Sequence, residues 1–79
     1  MSSEFCIVLT TCPTQKQAGK IAAELVNLKL AACVQISQPI TSVYHWEDDI
    51  VTDSEIQIVI KTMSSKLDAA LKLTLSLHP

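Results

Sequence analysis

The sequence predicts a two-layer α+β sandwich whose segments follow the order β-α-β-β-α. Three observations carry that prediction. Two apolar stripes recur at helical spacing, three stretches are rich in β-branched residues, and the polar triplet Glu47-Asp48-Asp49 separates two of those stretches as a hairpin loop would. Helices gathered on one face of an antiparallel sheet are the packing this order favours.

The first strand covers residues 4–11 (EFCIVLTT). Phe5, Ile7 and Leu9 point one way and Cys6 and Val8 the other, so both faces are apolar, and the pattern predicts a central strand covered on both sides. Pro13 has no N–H to donate to a ladder and ends it. Thr14 followed by Gln17 has the spacing of a capping box. Ala18, Ile21, Ala22, Leu25 and Leu28 then form one helical stripe facing a core.

Residues 31–38 (AACVQISQ) read as a second strand, with Pro39 at a bend or bulge. The chain continues extended through residues 40–46, placing Ile40, Ser42, Tyr44 and Trp46 on one face. A return strand over residues 51–62 alternates Ile56, Ile58 and Ile60 with Glu55, Gln57, Val59 and Lys61, the signature of one buried face. Ser64 or Ser65 is placed to cap a second helix, supported by Asp68 in its first turn. Leu67, Ala70, Leu71 and Thr74 line one side of it. His78-Pro79 closes the sequence. The order is that of a ferredoxin-like sandwich whose final strand is missing.

Length and composition narrow the function. Residues 1–79 suffice for a single domain, and one Gly and three Pro with 48% hydrophobic residues exclude a disordered chain. A domain this small buries only about 60% of its unfolded surface, so the apolar surplus predicts a subunit interface. There are six lysines, no arginine and eight acids, for a net charge of −2, and the lysines form no patch. Nucleic acid is therefore not the expected partner. One glycine cannot build a glycine-rich phosphate cradle, and neither an HExxH nor a nucleophile elbow is present, so no enzyme is predicted. No apolar stretch approaches the ~20 residues of a membrane span, and the N-terminus lacks a signal-peptide pattern. Three cysteines, an odd number, predict reduced thiols in a cytoplasm.

Cys33, among Ala31, Ala32 and Val34, reads either as a small buried hydrophobe or as a soft thiolate ligand for Cu(I). Alone it holds no metal tightly, so other residues or subunits would have to contribute. Cys6 and Cys12 are six apart, which is not a zinc-site pair. Both read as packed small hydrophobes first, and of the two Cys12, at the strand exit, is the better candidate for an exposed and reactive thiol. His45 reads as a solvated strand residue, and His78 sits where a helix dipole favours its charge. Glu47, Asp48, Asp49 and Asp53 form the densest charge cluster, but their spacing matches no calcium loop. Tyr44 and Trp46 read as a subunit anchor or as local core.

Several segments converge on one family. Leu9-Thr10-Thr11-Cys12-Pro13, Lys29-Leu30-Ala31-Ala32-Cys33-Val34, Thr41-Ser42-Val43-Tyr44-His45-Trp46-Glu47, residues 55–62 (EIQIVIKT) and Leu77-His78-Pro79, in this order, resemble the CutA divalent-cation tolerance proteins over residues 4–79. The resemblance implies a ferredoxin-like cytoplasmic homotrimer that acts in the response to metal ions and binds copper; no cofactor is expected to be required, with copper the one candidate. It also implies an architecture shared with PII-type signalling proteins, so the alternative is a regulatory or scaffolding trimer that binds a small ligand or a partner protein. Members continue past the His-Pro pair with a strand and a helix, which makes a C-terminally truncated domain the expectation here. The family's copper-associated positions fall on Thr10, Cys33 and Leu77, and only Cys33 retains a metal ligand. Asp48 stands where the family has glycine.

Overall fold

The computed structural model describes residues 4–77, so His78 and Pro79 lie outside the described residues. Strand β1 (Phe5–Cys12), helix α1 (Gln15–Asn27), strands β2 (Cys33–Trp46) and β3 (Asp49–Met63), and helix α2 (Leu67–Leu77) follow in order, with one 3-10 turn, Ser64–Lys66, before α2. The three strands form an antiparallel sheet in the order β1-β3-β2. The architecture is the predicted β-α-β-β-α sandwich.

The central strand, however, is β3. β1 pairs only with β3 and stands at the edge of the described sheet. Its Phe5, Ile7 and Leu9 are 73%, 64% and 62% exposed. Two apolar faces show what a strand could bury, not how many neighbours it has. The fifteen-residue β3 is long enough to pair with β2 at one edge and β1 at the other.

α1 begins where its polar start signal predicts. Thr14 is extended, and its Oγ1 accepts the Gln17 N–H at 3.2 Å. The same hydroxyl donates to Gln17 Oε1 at 3.2 Å, so the Gln17 side chain closes on the cap's hydroxyl. Ala18, Ile21 and Leu25 are fully buried, whereas Leu28 is exposed beyond the helix end. There the Lys29 N–H donates to Val26 O and the Leu30 N–H to Leu25 O, while Lys29 adopts φ 59°. This is a Schellman ending with lysine in the left-handed position that glycine usually fills.

Residues paired across a ladder share a face. Val8, Ile60 and Val34 form one such row, and Cys12 and Ile56 form another pair. With Ile58 they meet Ile21, Leu25 and Ala70 of the helices in one core. Each large side chain so buried contributes about 1.5–3 kcal/mol. Ser64 and Ser65 cap nothing; they lie exposed in the 3-10 turn, whose start has no side-chain cap bond. Along α2 the core face is Ala70, Leu73, Thr74 and Leu77, with Leu71 turned outward. Thr74 satisfies its buried hydroxyl by donating to Ala70 O at 2.8 Å.

β1 pairs with β3 only as far as Cys12↔Ile56, while β2 and β3 continue together to Trp46↔Asp49. The result is a two-stranded arm projecting from the sandwich. It accounts for an extent of 47 × 26 × 20 Å and a radius of gyration of 13.9 Å, against about 11.6 Å for a compact chain of this length. At the base of the arm, Ser37 and Gln38 together oppose Gln57, a β-bulge next to Pro39 as predicted. The Ser37 hydroxyl accepts the Gln57 N–H at 2.9 Å and donates to Gln38 O at 2.6 Å.

Candidate functional site

The face of the sheet opposite the helices is covered by no described element, and of the residues singled out above it carries Cys33, Tyr44, Trp46, Asp49 and Asp53. Cys33↔Lys61 and Ile7↔Lys61 form one row across it, and Gln35↔Val59 and Leu9↔Val59 the next. Phe5 and Met63 close one end. On the arm the same face carries Ile40 opposite Glu55, Ser42 opposite Asp53, Tyr44 opposite Val51 and Trp46 opposite Asp49.

The three free cysteines reverse the expected order of exposure. Cys12 is buried, 2% exposed, with its Sγ donating to Thr14 O at 3.4 Å. Cys6 is half-buried and Cys33 is exposed. The turn after β1 folds Pro13 and Thr14 back over Cys12, while Cys33 begins β2 on the uncovered face. Being a small hydrophobe thus describes Cys12, not Cys33.

The family's copper-associated positions, of which Cys33 alone carries a ligand here, do not converge within one chain. Thr10 pairs with Ile58 on the helix side, Leu77 packs against the core, and Cys33 faces away from both. Among the described residues no group of three or more His, Cys, Asp or Glu could hold a metal ion. One soft donor does not fit a copper site by itself. His45 is exposed on the arm, as expected.

Five of the eight acids occupy the arm and its tip. Glu47 and Asp48 form the loop; Glu47 takes φ 57°, whereas Asp48 does not enter the left-handed region. The glycine-like position is therefore Glu47, and aspartate at 48 leaves the hairpin intact. Tyr44 donates its phenolic hydrogen to the Asp53 carboxylate. That bond, followed by desolvation and the charges of Asp53 and Glu55, raises the Tyr44 pKa above 10. This pair was legible in principle: counting back from the two-residue loop sets Tyr44 opposite Val51, one diagonal step from Asp53.

Grooves indent the surface at both ends of β1 among the described residues. One, about 370 Å³, lies where β1 ends beside β3, between Cys12-Pro13 and residues 53–55. The other, about 490 Å³, lies at the far end of the sheet between Phe5, Met63, Val26 and the lysines Lys29 and Lys66. Lys66 Nζ donates to Lys29 O at 3.0 Å. No helix among the described residues is long and apolar enough to cross a membrane.

Known proteins resemble this chain throughout. The CutA homolog of Xenopus laevis is 40% identical over 79 residues, covering the whole chain and 52% of that protein, so the chain spans about half of that relative's length. The crystal structure of CutA1 from the psychrotrophic bacterium Shewanella sp. SIB1 matches with a TM-score of 0.93 and 39% identity, over the whole chain and 74% of its own. CutA from Synechococcus elongatus PCC7942, solved in complex with a Bis-Tris molecule, matches at a TM-score of 0.88 and 37% identity, over 99% of this chain and 71% of its own. The family model described as CutA1 divalent ion tolerance protein matches residues 6–79. With its ferredoxin-like sheet, long hairpin arm and motif order, the chain belongs to the CutA1 divalent ion tolerance family.

Proposed function

We propose that this protein acts in tolerance of divalent metal ions as a non-enzymatic homotrimer in a reducing cytoplasm. The single observation that carries the reading is the uncovered sheet face. Phe5, Ile7 and Leu9 stand exposed together along β1 on it, and a second copy is the natural cover for contiguous apolar side chains. The arm supports the same reading, because a two-stranded ribbon is marginal alone in water. Pairing of the arm with a neighbouring subunit would stabilise it. Cys33 lies on the face that such an assembly covers, so its thiolate is the proposed soft ligand for copper, with the remaining donors supplied by neighbouring subunits.

Light scattering at micromolar concentration, with Ile7→Glu as the control, tests the assembly. A trimer that Ile7→Glu dissociates is the expected result; a stable monomer for the unaltered chain refutes it. Titration calorimetry with Cu(I) and Cu(II) tests the metal. Heat equal to that of a Cys33→Ala control ends the case for Cys33.

A second reading, a PII-like regulatory or scaffolding trimer that binds a small ligand, is favoured by the Bis-Tris molecule held by the Synechococcus relative. A thermal-shift screen separates the two: a midpoint moved by metals alone favours the first reading, and one moved by organic ligands alone favours the second.

A further inference from the structure

All the Lys, Asp and Glu residues of the three strands lie in β3: Asp49, Asp53, Glu55 and Lys61. Their shared parity puts them on the face turned away from the helices. Asp49 and Asp53 are exposed, whereas Glu55 and Lys61 are half-buried. Lys61 stands between Ile7 and Cys33 across the ladders, with Val59 and Met63 beside it along β3, and is the one charge on the sandwich part of that face. Glu55 lies opposite Ile40 at the base of the arm. Neither side chain makes a hydrogen bond or ion pair among the described residues. Nor can they meet in one chain. Six residues along an extended strand span about 20 Å, against about 4 Å for an ion pair.

In the proposed homotrimer a neighbouring copy covers this face. Covering the Lys61 ammonium strips it of water, and only a well-placed opposite charge offsets that loss. The sandwich part of a neighbour's face offers no acid, because Lys61 is the one charge there. The acids that share the face belong to the arm, so a neighbour's arm is the source of the carboxylate. Of these acids, Asp53 already accepts the Tyr44 hydroxyl, and Asp49 sits at the tip opposite Trp46. Glu55 is half-buried, unpaired and next to the sandwich. Cation and carboxylate occupy different places on the subunit, so the contact runs head to tail. Each copy gives its Glu55 to one neighbour and its Lys61 to the other, and three copies close the ring.

We propose that Lys61 of each subunit pairs with Glu55 of the partner subunit, and that this ion pair fixes the order and register of the subunits while the apolar side chains around Ile7 supply affinity. The pairing rests on the homotrimer proposed above and names the two residues that specify it.

Sedimentation velocity over a dilution series tests it, beginning with the unaltered chain. A monomer there refutes the homotrimer itself, and the ion pair falls with it. Given a trimer, Lys61→Glu and Glu55→Lys should each raise the concentration at which it dissociates at least tenfold. The K61E/E55K chain, with the two charges exchanged, should recover most of that loss. The milder K61Q, E55Q and K61Q/E55Q chains keep the test open if a reversed charge unfolds the subunit. Among them the double variant should dissociate no more readily than the weaker single one. Three results would overturn the pairing and leave the trimer standing: no effect of any single substitution, additive losses in the glutamine series, or rescue of K61E by D53K or D49K and not by E55K. A dimer in place of the trimer would mean reciprocal pairing across a two-fold axis, and would overturn the ring.

Discussion

Tyr44 reaches diagonally across the arm to hydrogen-bond Asp53, two residues beyond Val51, its partner in the ladder. The bond ties the two strands of a ribbon that has no core beneath it, and it holds the phenol protonated.

Tyr44 is the single tyrosine, so absorbance at 295 nm reports it alone. The titration midpoint is expected above the ordinary 10 because the Asp53 acceptor, then desolvation, then charge favour the neutral phenol. Asp53→Asn should move the midpoint down towards 10. The sign for stability follows from a folded pKa raised above the unfolded one. The contribution is complete below pH 10 and is lost as pH rises through the folded value. A midpoint unchanged by Asp53→Asn would show that the bond does not persist in solution.

Three backbone positions are expected to gain stability on substitution. Gly19 sits inside α1 with open space around its missing Cβ, so Gly19→Ala should add about 0.5–1 kcal/mol. Lys29→Gly relieves a left-handed lysine at the Schellman position and should add about 1 kcal/mol. Glu47→Gly does the same at the arm tip, and at both positions the gain is what remains after the extra unfolded-state entropy of glycine. Urea unfolding at constant m-value measures all three, and a loss in any one would contradict its backbone assignment.

Thiol chemistry should follow burial. In the Ile7→Glu chain, whose sheet face no neighbouring subunit covers, an aromatic disulfide reagent is expected to modify Cys33 first, Cys6 more slowly, and Cys12 only on unfolding. Mass mapping of the first labelled site checks the order, and early modification of Cys12 would contradict its packing against Thr14.

Thr62 is buried on β3, and its hydroxyl donates to Leu30 O at 2.6 Å, joining the central strand to the end of α1. Thr62→Val keeps the shape and removes the donor, which should cost about 1–2 kcal/mol. Ile58→Ala, at a fully buried neighbour on the same face, should cost about 2–5 kcal/mol. Comparable small losses at both would place the core elsewhere.

Periodic signals were readable because they are local. The Thr14–Gln17 start, the Ala18-Ile21-Leu25 stripe, the Ile56-Ile58-Ile60 alternation and the Pro39 bulge each depend on neighbours a few residues away. What failed was set at longer range. β1 looks central because both its faces are apolar, yet its place depends on which strands stand beside it. Cys12 lies deeper than Cys6, and Cys33 stands exposed, because a turn covers Cys12 and no described element covers Cys33. The Ser64-Ser65 cap failed because the chain enters α2 through a 3-10 turn. The copper-associated positions are family correspondences and not local signals; within one chain the sheet sends Thr10 and Cys33 to opposite faces.

The bulge at Ser37-Gln38 acts on β2 as a half-period phase slip. Before it, the even-numbered Val34 and Ile36 point to the helices; after it, the even-numbered Ile40, Tyr44 and Trp46 point away from them. One uninterrupted parity of apolar residues thus serves two different surfaces. Deleting Gln38 would restore strict alternation against Gln57 while every later residue kept its partner on β3. Only the bend at the base of the arm would change, so the direction in which the arm points is encoded separately from what it displays.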